Sequence, residues 1–420
     1  METNQPKTIP HGYKATALGI IPQEWEVRSL DYFGDIYSGG TPDTEVAEYW
    51  NGDIAWCTPS DITKLDTKYI ESTEVKITAK GLKESSATLL PPRSIVVCTR
   101  ATIGSAAICN TEIATNQGFK NIITNETANP EWLYYNIIYS KPRLVRLGCG
   151  STFLEVSKKD FSRFKIVAPL LEEQRKIAEV LGVWDEAIEK QARLIEKLAL
   201  RKRGLMQRLL SAKLRLPGFS SPWQKVKLGD IGKFDKGYGV PKESIRNTGN
   251  KAITYGEIYT KHDFVIKKFT SYIDDETAVA SKKITQGAIL FTGSGETLED
   301  IGKCVAFIDN DIAYAGGDII IFNPSIEINS LVLSYCLNYA PVNAQKARYG
   351  QGHSVVHIYQ KDLAKLQVTI PSVSEQNAIA EVLTTADREI ELAKEKLERL
   401  RRQKRGLMQQ LLSGKKRVKY

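Results

Sequence analysis

The sequence predicts an α/β protein: two mixed α/β globular parts joined by two long antiparallel helices that form an intramolecular coiled coil, a tandem repeat with pseudo-twofold symmetry. Three observations predict it. One segment is repeated without a gap in several identical runs, each copy carries a heptad seam, and the intervening stretches hold short β-type runs broken by Gly, Pro and Asn.

The duplication comes first because it sets the domain plan. Glu173-Gln174 recurs as Glu375-Gln376, and Ile177-Ala178-Glu179-Val180-Leu181 recurs as Ile379-Ala380-Glu381-Val382-Leu383. Lys202-Arg203-Gly204-Leu205-Met206-Gln207 returns as Lys404-Arg405-Gly406-Leu407-Met408-Gln409, always at an offset of 202. Fainter matches lie upstream: Gly148, Gly150, Lys159-Asp160 and Pro169 keep that offset, while Trp25, Leu30 and Gly34 pair with Trp223, Leu228 and Gly232 at an offset of 198. The boundaries that follow are a first globular part over 1–168, a central helix over 169–214, a second globular part over 215–370, and a C-terminal helix with a basic tail over 371–420. Neutral drift in loops explains variable globular parts. It does not explain why helix residues read as exposed, such as Lys202, Arg203 and Gln207, return unchanged.

The helices follow from spacing. Ile177, Leu181, Ile188, Ile195 and Leu198 in the first copy, and Ile379, Leu383, Ile390, Leu397 and Leu400 in the second, fall on a seam of period 3.5 with no Pro inside. At ~1.5 Å per residue, about forty residues make a rod of ~60 Å, longer than a compact domain needs. Each exposed stripe finds its nearest complement in the other copy, so pairing within the chain is expected, with Gln191 opposite Ala393 as the weak point of the seam. Intermolecular dimerisation is the alternative use of the stripes.

In the globular parts, strands are expected at Ser94 to Thr99, Asn121 to Ile123, Ala288 to Thr292 and Asp318 to Phe322, with helices at Glu131 to Tyr139 and Asn329 to Tyr339. Gly-rich turns accompany them. Gly39-Gly40-Thr41-Pro42 parallels Gly237-Tyr238-Gly239-Val240, and the turn Arg146 to Thr152 parallels Arg348 to Ser354. Such turns can present backbone N–H groups and hydroxyls to phosphate oxygens, or serve steric needs alone.

Composition narrows the partner. Lys and Arg number 58 against 49 Asp and Glu, a net charge of +9 that suits a polyanion. Six scattered cysteines without a CxxC pair, and a polar start without an apolar h-region, argue for a reduced, cytoplasmic protein. No apolar run suits a membrane span. If the partner is DNA, base edges would be read by polar side chains on exposed loops: Arg100, Asn116 and Gln117 in the first part, and Lys236, Tyr238, Ser294 and His353 in the second. Gly39, Gly40, Thr41, Arg146, Ser151, Thr152, Arg348, Gln351 and Ser354 complete the candidate DNA-binding set.

No catalytic constellation is evident. Asn129-Pro130-Glu131-Trp132 lacks the second Pro of an adenine-methyltransferase tetrapeptide, and Gly293-Ser294-Gly295-Glu296-Thr297 lacks the Lys of a phosphate-binding loop. His353 and His357 are four apart but in a β-prone stretch without a third ligand, so no metal is expected. Asp160 and Asp362 recur at matching places, where a helix-capping or turn role accounts for them.

Trp25, the Gly-Gly-Thr-Pro turn, Gly150-Ser151-Thr152 running into Lys159-Asp160-Phe161, and Pro169 followed by Glu173-Gln174 and a helix ending Lys-Arg-Gly-Leu-Met-Gln together resemble the specificity subunits of type I restriction-modification enzymes. The resemblance spans nearly the whole chain, although Gly237-Tyr238-Gly239-Val240 does not keep the Gly-Gly-Thr-Pro pattern. It implies that each globular part reads one half of a bipartite site in double-stranded DNA and that the helices set the spacing. It also implies that two modification subunits, which carry S-adenosylmethionine and methylate adenine, dock on the helices, that motor-nuclease restriction subunits can join, and that this chain binds no cofactor and catalyses nothing. Two rivals fit the repeat poorly: an autonomous methyltransferase or nuclease, and a coiled-coil assembly protein with no DNA role.

Overall fold

The computed structural model of the chain describes residues 9–148, 154–352 and 355–419. It forms two compact units, one of residues 1–195 with 393–420 and one of residues 196–392. Both long helices contribute to each unit. The central helix runs Leu171–Leu210 and the C-terminal helix Val373–Leu412, each 40 residues. Among the described residues, no helix is long and apolar enough to cross a membrane.

The first unit is built on a five-stranded sheet in the spatial order Gly34–Ser38, Phe119–Thr124, Ile95–Cys98, Ala106–Cys109, Tyr69–Ile70, with a three-stranded sheet of Ile113–Thr115, Trp50–Cys57 and Lys76–Ile77 beside it. Its central strand, Ile95-Val96-Val97-Cys98, is buried throughout because both faces are covered. Alternation sends Ile95 and Val97 into a core with Trp25, Phe33 and Trp132, and Val96 and Cys98 into a second core with Phe119. The helix Pro130–Val145 covers the first of these, capped by Asn129, whose side chain accepts from the amide of Trp132.

The second unit repeats this plan. Gly232–Lys236, Ile319–Pro324, Ile289–Thr292 and Cys304–Ala306 form one sheet, and Ser271–Ile273, Asn250–Ile253, Ala313–Ala315 and Lys282–Ile284 another. Ile289 and Phe291 face one core while Leu290 faces the other. The expected mixed α/β class, and the strands and helices read from the sequence, are all present.

Within the first unit the two helix segments run antiparallel: Asp185 bonds Lys404, and Gln191 lies against Ala393. Within the second unit, Lys202 Nζ meets Asp387 at 2.6 Å and Arg201 pairs with Glu389. Of the seam residues, Ile177, Leu181, Ile379, Leu383 and Leu397 are buried, and Ile188, Ile195, Leu198, Ile390 and Leu400 are half-buried. Gln191 is buried too, and its Nε2 donates to the Ala393 carbonyl at 3.0 Å, so the polar residue in the seam is satisfied.

Buried polar clusters join each helix start to its surroundings. Glu173, 1% exposed, accepts from the indole N–H of Trp25 at 2.9 Å and from the Arg417 guanidinium at 2.6 and 2.8 Å. In the second unit Glu375, 1% exposed, accepts from Trp223 at 3.0 Å and from Arg215 at 2.7 and 2.9 Å. The arginine follows the other long helix each time: Arg417 comes just after the C-terminal helix and Arg215, at the offset of 202, just after the central one. Gln174 and Gln376 accept from the amides of Asn129 and Asn329, at 3.0 and 2.8 Å, tying helix to globular part.

One expectation is corrected here. Lys202 is not a solvent-facing residue. Its ammonium lies 5.3 Å from the ring centroids of both Phe264 and Tyr335 and bonds Asp387, which also accepts from the Tyr335 hydroxyl at 3.0 Å. Tyr135, Asp185 and Lys404 make the same triad in the first unit. Burial of a bonded ammonium therefore explains this recurrence, while Arg203 and Gln207 are exposed.

The arginines reach their carboxylates because each helix ends in a left-handed residue that turns the chain back: Ala212 at φ 55° and Gly414 at φ 72°. Alanine is strained in that region, and glycine is not. Ala212→Gly is accordingly expected to raise the stability of the full chain by about 1 kcal/mol, read from the midpoint of denaturant unfolding. A second measurement separates the partners of the buried cluster. Arg417→Ala leaves a buried carboxylate with an indole N–H as its remaining partner and should cost about 3–5 kcal/mol. Glu173→Ala leaves an arginine whose side chain is already 32% exposed, and should cost less, about 2 kcal/mol.

Candidate nucleic-acid interface

Each globular part folds its Gly-rich turn across the end of its sheet. In the first unit, the strand Gly34–Ser38 leads into Gly39 and Gly40, whose amides donate to the carbonyls of Phe119 (3.2 Å) and Thr115 (2.9 Å). A Cβ on Gly39 would lie 1.9 Å from the Asn116 carbonyl oxygen, and one on Gly40 would lie 2.3 Å from the amide nitrogen of Ala87. The second unit makes the same crossing. Gly237 donates to Ile319 at 2.8 Å and Tyr238 to Ala315 at 3.1 Å, and a Cβ on Gly237 would sit 2.2 Å from the Gly316 carbonyl oxygen.

Of the two uses expected for these turns, the steric one is what the contacts at Gly39, Gly40 and Gly237 support. The amides of Gly39, Gly40, Gly237 and Tyr238 are engaged by the protein, and glycine at 39, 40 and 237 is required by close backbone approach. The motif difference between Gly-Gly-Thr-Pro and Gly-Tyr-Gly-Val leaves the crossing intact.

What the crossing presents differs between the units. In the first, Thr41 bonds exposed Gln117, Asn116 is folded back so that its Oδ1 accepts from the amide of Gly118 at 2.9 Å, and Arg100 lies beside Gly118. Arg100 pairs by backbone bridge with Glu155, whose carboxylate stands 3.5 Å from the ammonium of buried Lys120. Gly39, Gly40, Thr41, Arg100, Asn116 and Gln117 are therefore brought together. Arg146 stands apart, as the C-cap of the helix Pro130–Val145, and Ser151 and Thr152 lie outside the described residues.

In the second unit, Lys236 and Ser294 line one concavity of about 560 Å³ together with His357, Tyr359 and Lys361. Ser294, expected on an exposed loop, is 7% exposed, and its hydroxyl lies 3.0 Å from His357 Nδ1. Tyr238 is exposed. Around the neighbouring cavity of about 860 Å³, lined by Tyr255 and Lys242 among others, three residues adopt left-handed backbone: Gly239 (φ 83°), Val240 (φ 68°) and Asp318 (φ 60°). For a β-branched residue such as Val240 that conformation costs on the order of 1–3 kcal/mol.

Arg348 does not lie in a turn as expected; it is in the last turn of the helix Ala340–Tyr349. Gln351 bridges His357, and His353 and Ser354 lie outside the described residues. His357 belongs to a short strand paired with Ser294–Gly295, not to a helix, and among the described residues no group of three His, Cys, Asp or Glu could hold a metal ion. Asp160 sits in the first turn of a short helix capped by Ser157, and Asp362 is buried and paired with Lys365 at 2.8 Å.

Sequence reasoning missed Lys120 and Glu155, whose meeting depends on strand order, and it missed Lys346. This lysine is 1% exposed and donates to the Gly302 carbonyl at 2.7 Å, bracing the helix that carries Arg348 against the loop that follows Ser294. Burial pulls its ammonium down from 10.5 to about 8.

The family model for the type I restriction modification DNA specificity domain matches residues 22–199 and again 220–402. The chain belongs to the type I restriction-modification specificity subunits. It is 33% identical to the MjaIX specificity subunit of Methanocaldococcus jannaschii over 69% of this chain and 70% of that one, and 25% identical to the MjaVIII specificity subunit of the same organism over 95% and 94%. Among solved structures, a chain from a study of complex assembly and conformational transition of the type I system aligns over 94% of this chain and 99% of its own, with a TM-score of 0.62 at 18% identity. The S subunit from M. genitalium aligns over 92% and 96% with a TM-score of 0.53 at 16% identity, so the tandem architecture is shared where sequence is not. As a specificity subunit, the chain is the target-recognition component of its system and acts with DNA and with other subunits.

The buried lysine makes a pH prediction. Its folded pKa, about 8, is below the unfolded 10.5, so the unfolded chain binds more protons between those values and stability from this group rises with pH across that window. Comparing thermal unfolding of wild type and Lys346→Met from pH 7.5 to 10 should show a rise larger in the wild type than in the variant, by at most about 3 kcal/mol. An identical pH profile for both would contradict it.

Proposed function

We propose that this specificity subunit reads a bipartite sequence in duplex DNA, the first globular part taking one half-site and the second the other, with the paired helices setting the spacing and docking two modification subunits. Those partners hold the S-adenosylmethionine and methylate adenine, restriction subunits can join them, and this chain supplies recognition without chemistry, in the cytoplasm with the chromosome. One observation carries the proposal: the two units repeat the same framework, bond for bond at Trp25–Glu173–Arg417 and Trp223–Glu375–Arg215, yet present different side chains where the turns cross. A shared scaffold with unlike tips is what two readers of unlike sequences need, because base discrimination comes from side chains that meet base edges. The net charge of +9 favours the approach to a polyanion.

Mapping methylated adenines in a host genome tests the division of labour. Exchanging residues 1–168 for those of another specificity subunit should change one half-site and spare the other. Inserting four residues in each long helix should lengthen the rod by ~6 Å and the gap between half-sites by about two base pairs at ~3.4 Å each. Change in both halves after the exchange, or an unchanged gap after the insertions, would count against the proposal.

A further inference from the structure

We propose that the first unit carries a phosphate-binding site for the DNA backbone, formed by Arg143, Arg146, Arg163 and Lys165, that the second unit lacks. The inference rests on the reading that this chain binds duplex DNA, and it adds where a backbone phosphate is held and why the two halves are held unequally.

The four cations line a concavity of about 390 Å³ in which Asp160 is the one carboxylate, room for a phosphodiester and its hydration. Arg143 is preorganised: its guanidinium stacks 4.6 Å from the Phe164 ring centroid and donates to the Lys165 carbonyl. Arg146, Arg163 and Lys165 are exposed, and none has an ion-pair partner among the described residues. Four cations thus face one carboxylate, Asp160, among the described residues of the concavity, and guanidinium forks match phosphate oxygens.

The same positions in the second unit, at the offset of 202, are Gln345, Arg348, Lys365 and Gln367. There Gln345 and Gln367 close on each other, with Gln345 Nε2 donating to the Gln367 carbonyl and the Gln367 amide donating to Gln345 Oε1, both at 2.9 Å. Lys365 is neutralised by Asp362 at 2.8 Å. The framework is retained while two cations are replaced and a third is paired, so the open basic site is a property of the first unit and not of the fold.

Its position favours DNA over an acidic protein surface. The Val156 amide donates to the Thr99 carbonyl at 2.9 Å beside the Arg100–Glu155 bridge, and the chain then enters the helix Lys158–Ser162, which carries Asp160 and packs on the strand leading to Gly39. The basic concavity is therefore joined, through residues 155–163, to the crossing that presents Thr41 and Gln117, and a duplex read at those side chains would carry its backbone toward it. A contact with phosphate adds affinity without adding sequence information.

The test uses the full chain assembled with its modification subunits and a duplex containing both half-sites, titrated over a range of salt concentrations. The double variant Arg146→Gln/Arg163→Gln should bind about tenfold more weakly at low salt, with a slope of log affinity against log salt smaller by ~1, and an unchanged methylation pattern. Lys365→Gln, the second-unit counterpart, should leave the slope as it is. If the wild-type complex binds with a steep salt dependence and the double variant matches it, the site is not a phosphate site. If the variant instead sheds its modification subunits on size exclusion with its DNA slope intact, the surface docks protein and the proposal fails. A wild-type complex without salt-dependent affinity for any duplex would overturn the DNA reading itself, and this site with it.

Discussion

The carboxylates of Glu173 and Glu375 are the constraint on which the rest depends, because each is buried at the start of a long helix and neither can be left unpaired. A buried carboxylate costs several kcal/mol unless it is bonded, and the bonds come from the indole of the preceding globular part and from an arginine just after the other long helix. Arg215 satisfies Glu375, and Arg417 satisfies Glu173, so neither repeat completes its own helix start. The tandem duplication is thereby knitted into one molecule. The Tyr135–Asp185–Lys404 and Tyr335–Asp387–Lys202 triads repeat that exchange further along the helices.

Much of this plan was legible in the residues. Periodicity set the two helices, because Ile177, Leu181, Ile379 and Leu383 recur at heptad spacing and pack on the cores at each helix start. The strands around Val96 and Leu290 showed in runs of branched apolar residues, which two-sided burial demands. The recurrence of Lys202 as Lys404 was also plain, but its cause was not. A lysine flanked by Arg201 and Arg203 in a helix looks solvent-facing until the aromatic ring and carboxylate that receive it come from a distant part of the chain.

The candidate interface was less legible for the same reason. Gly39 and Gly40 announced themselves as special, but whether a glycine serves an open amide or a close crossing depends on what lies above it, here the carbonyls of Thr115, Asn116 and Phe119. Lys120 and Glu155 meet only because the strand order brings them together, and the basic cluster from Arg143 to Lys165 joins a helix end to a strand start. Side-chain contacts across such separations leave no local signature, whereas a repeat offset exposes them once one copy is understood.

The crossing turns have a further consequence, for how such a molecule can change. Because the amides at Gly39, Gly40, Gly237 and Tyr238 are closed by main-chain carbonyls, the geometry of each tip is held by atoms that every amino acid possesses. Substitution at Thr41, Gln117 or Tyr238 alters what is displayed and leaves what displays it. Point replacement at a few outward positions can therefore alter the displayed surface while the main-chain bonds that hold each tip stay in place.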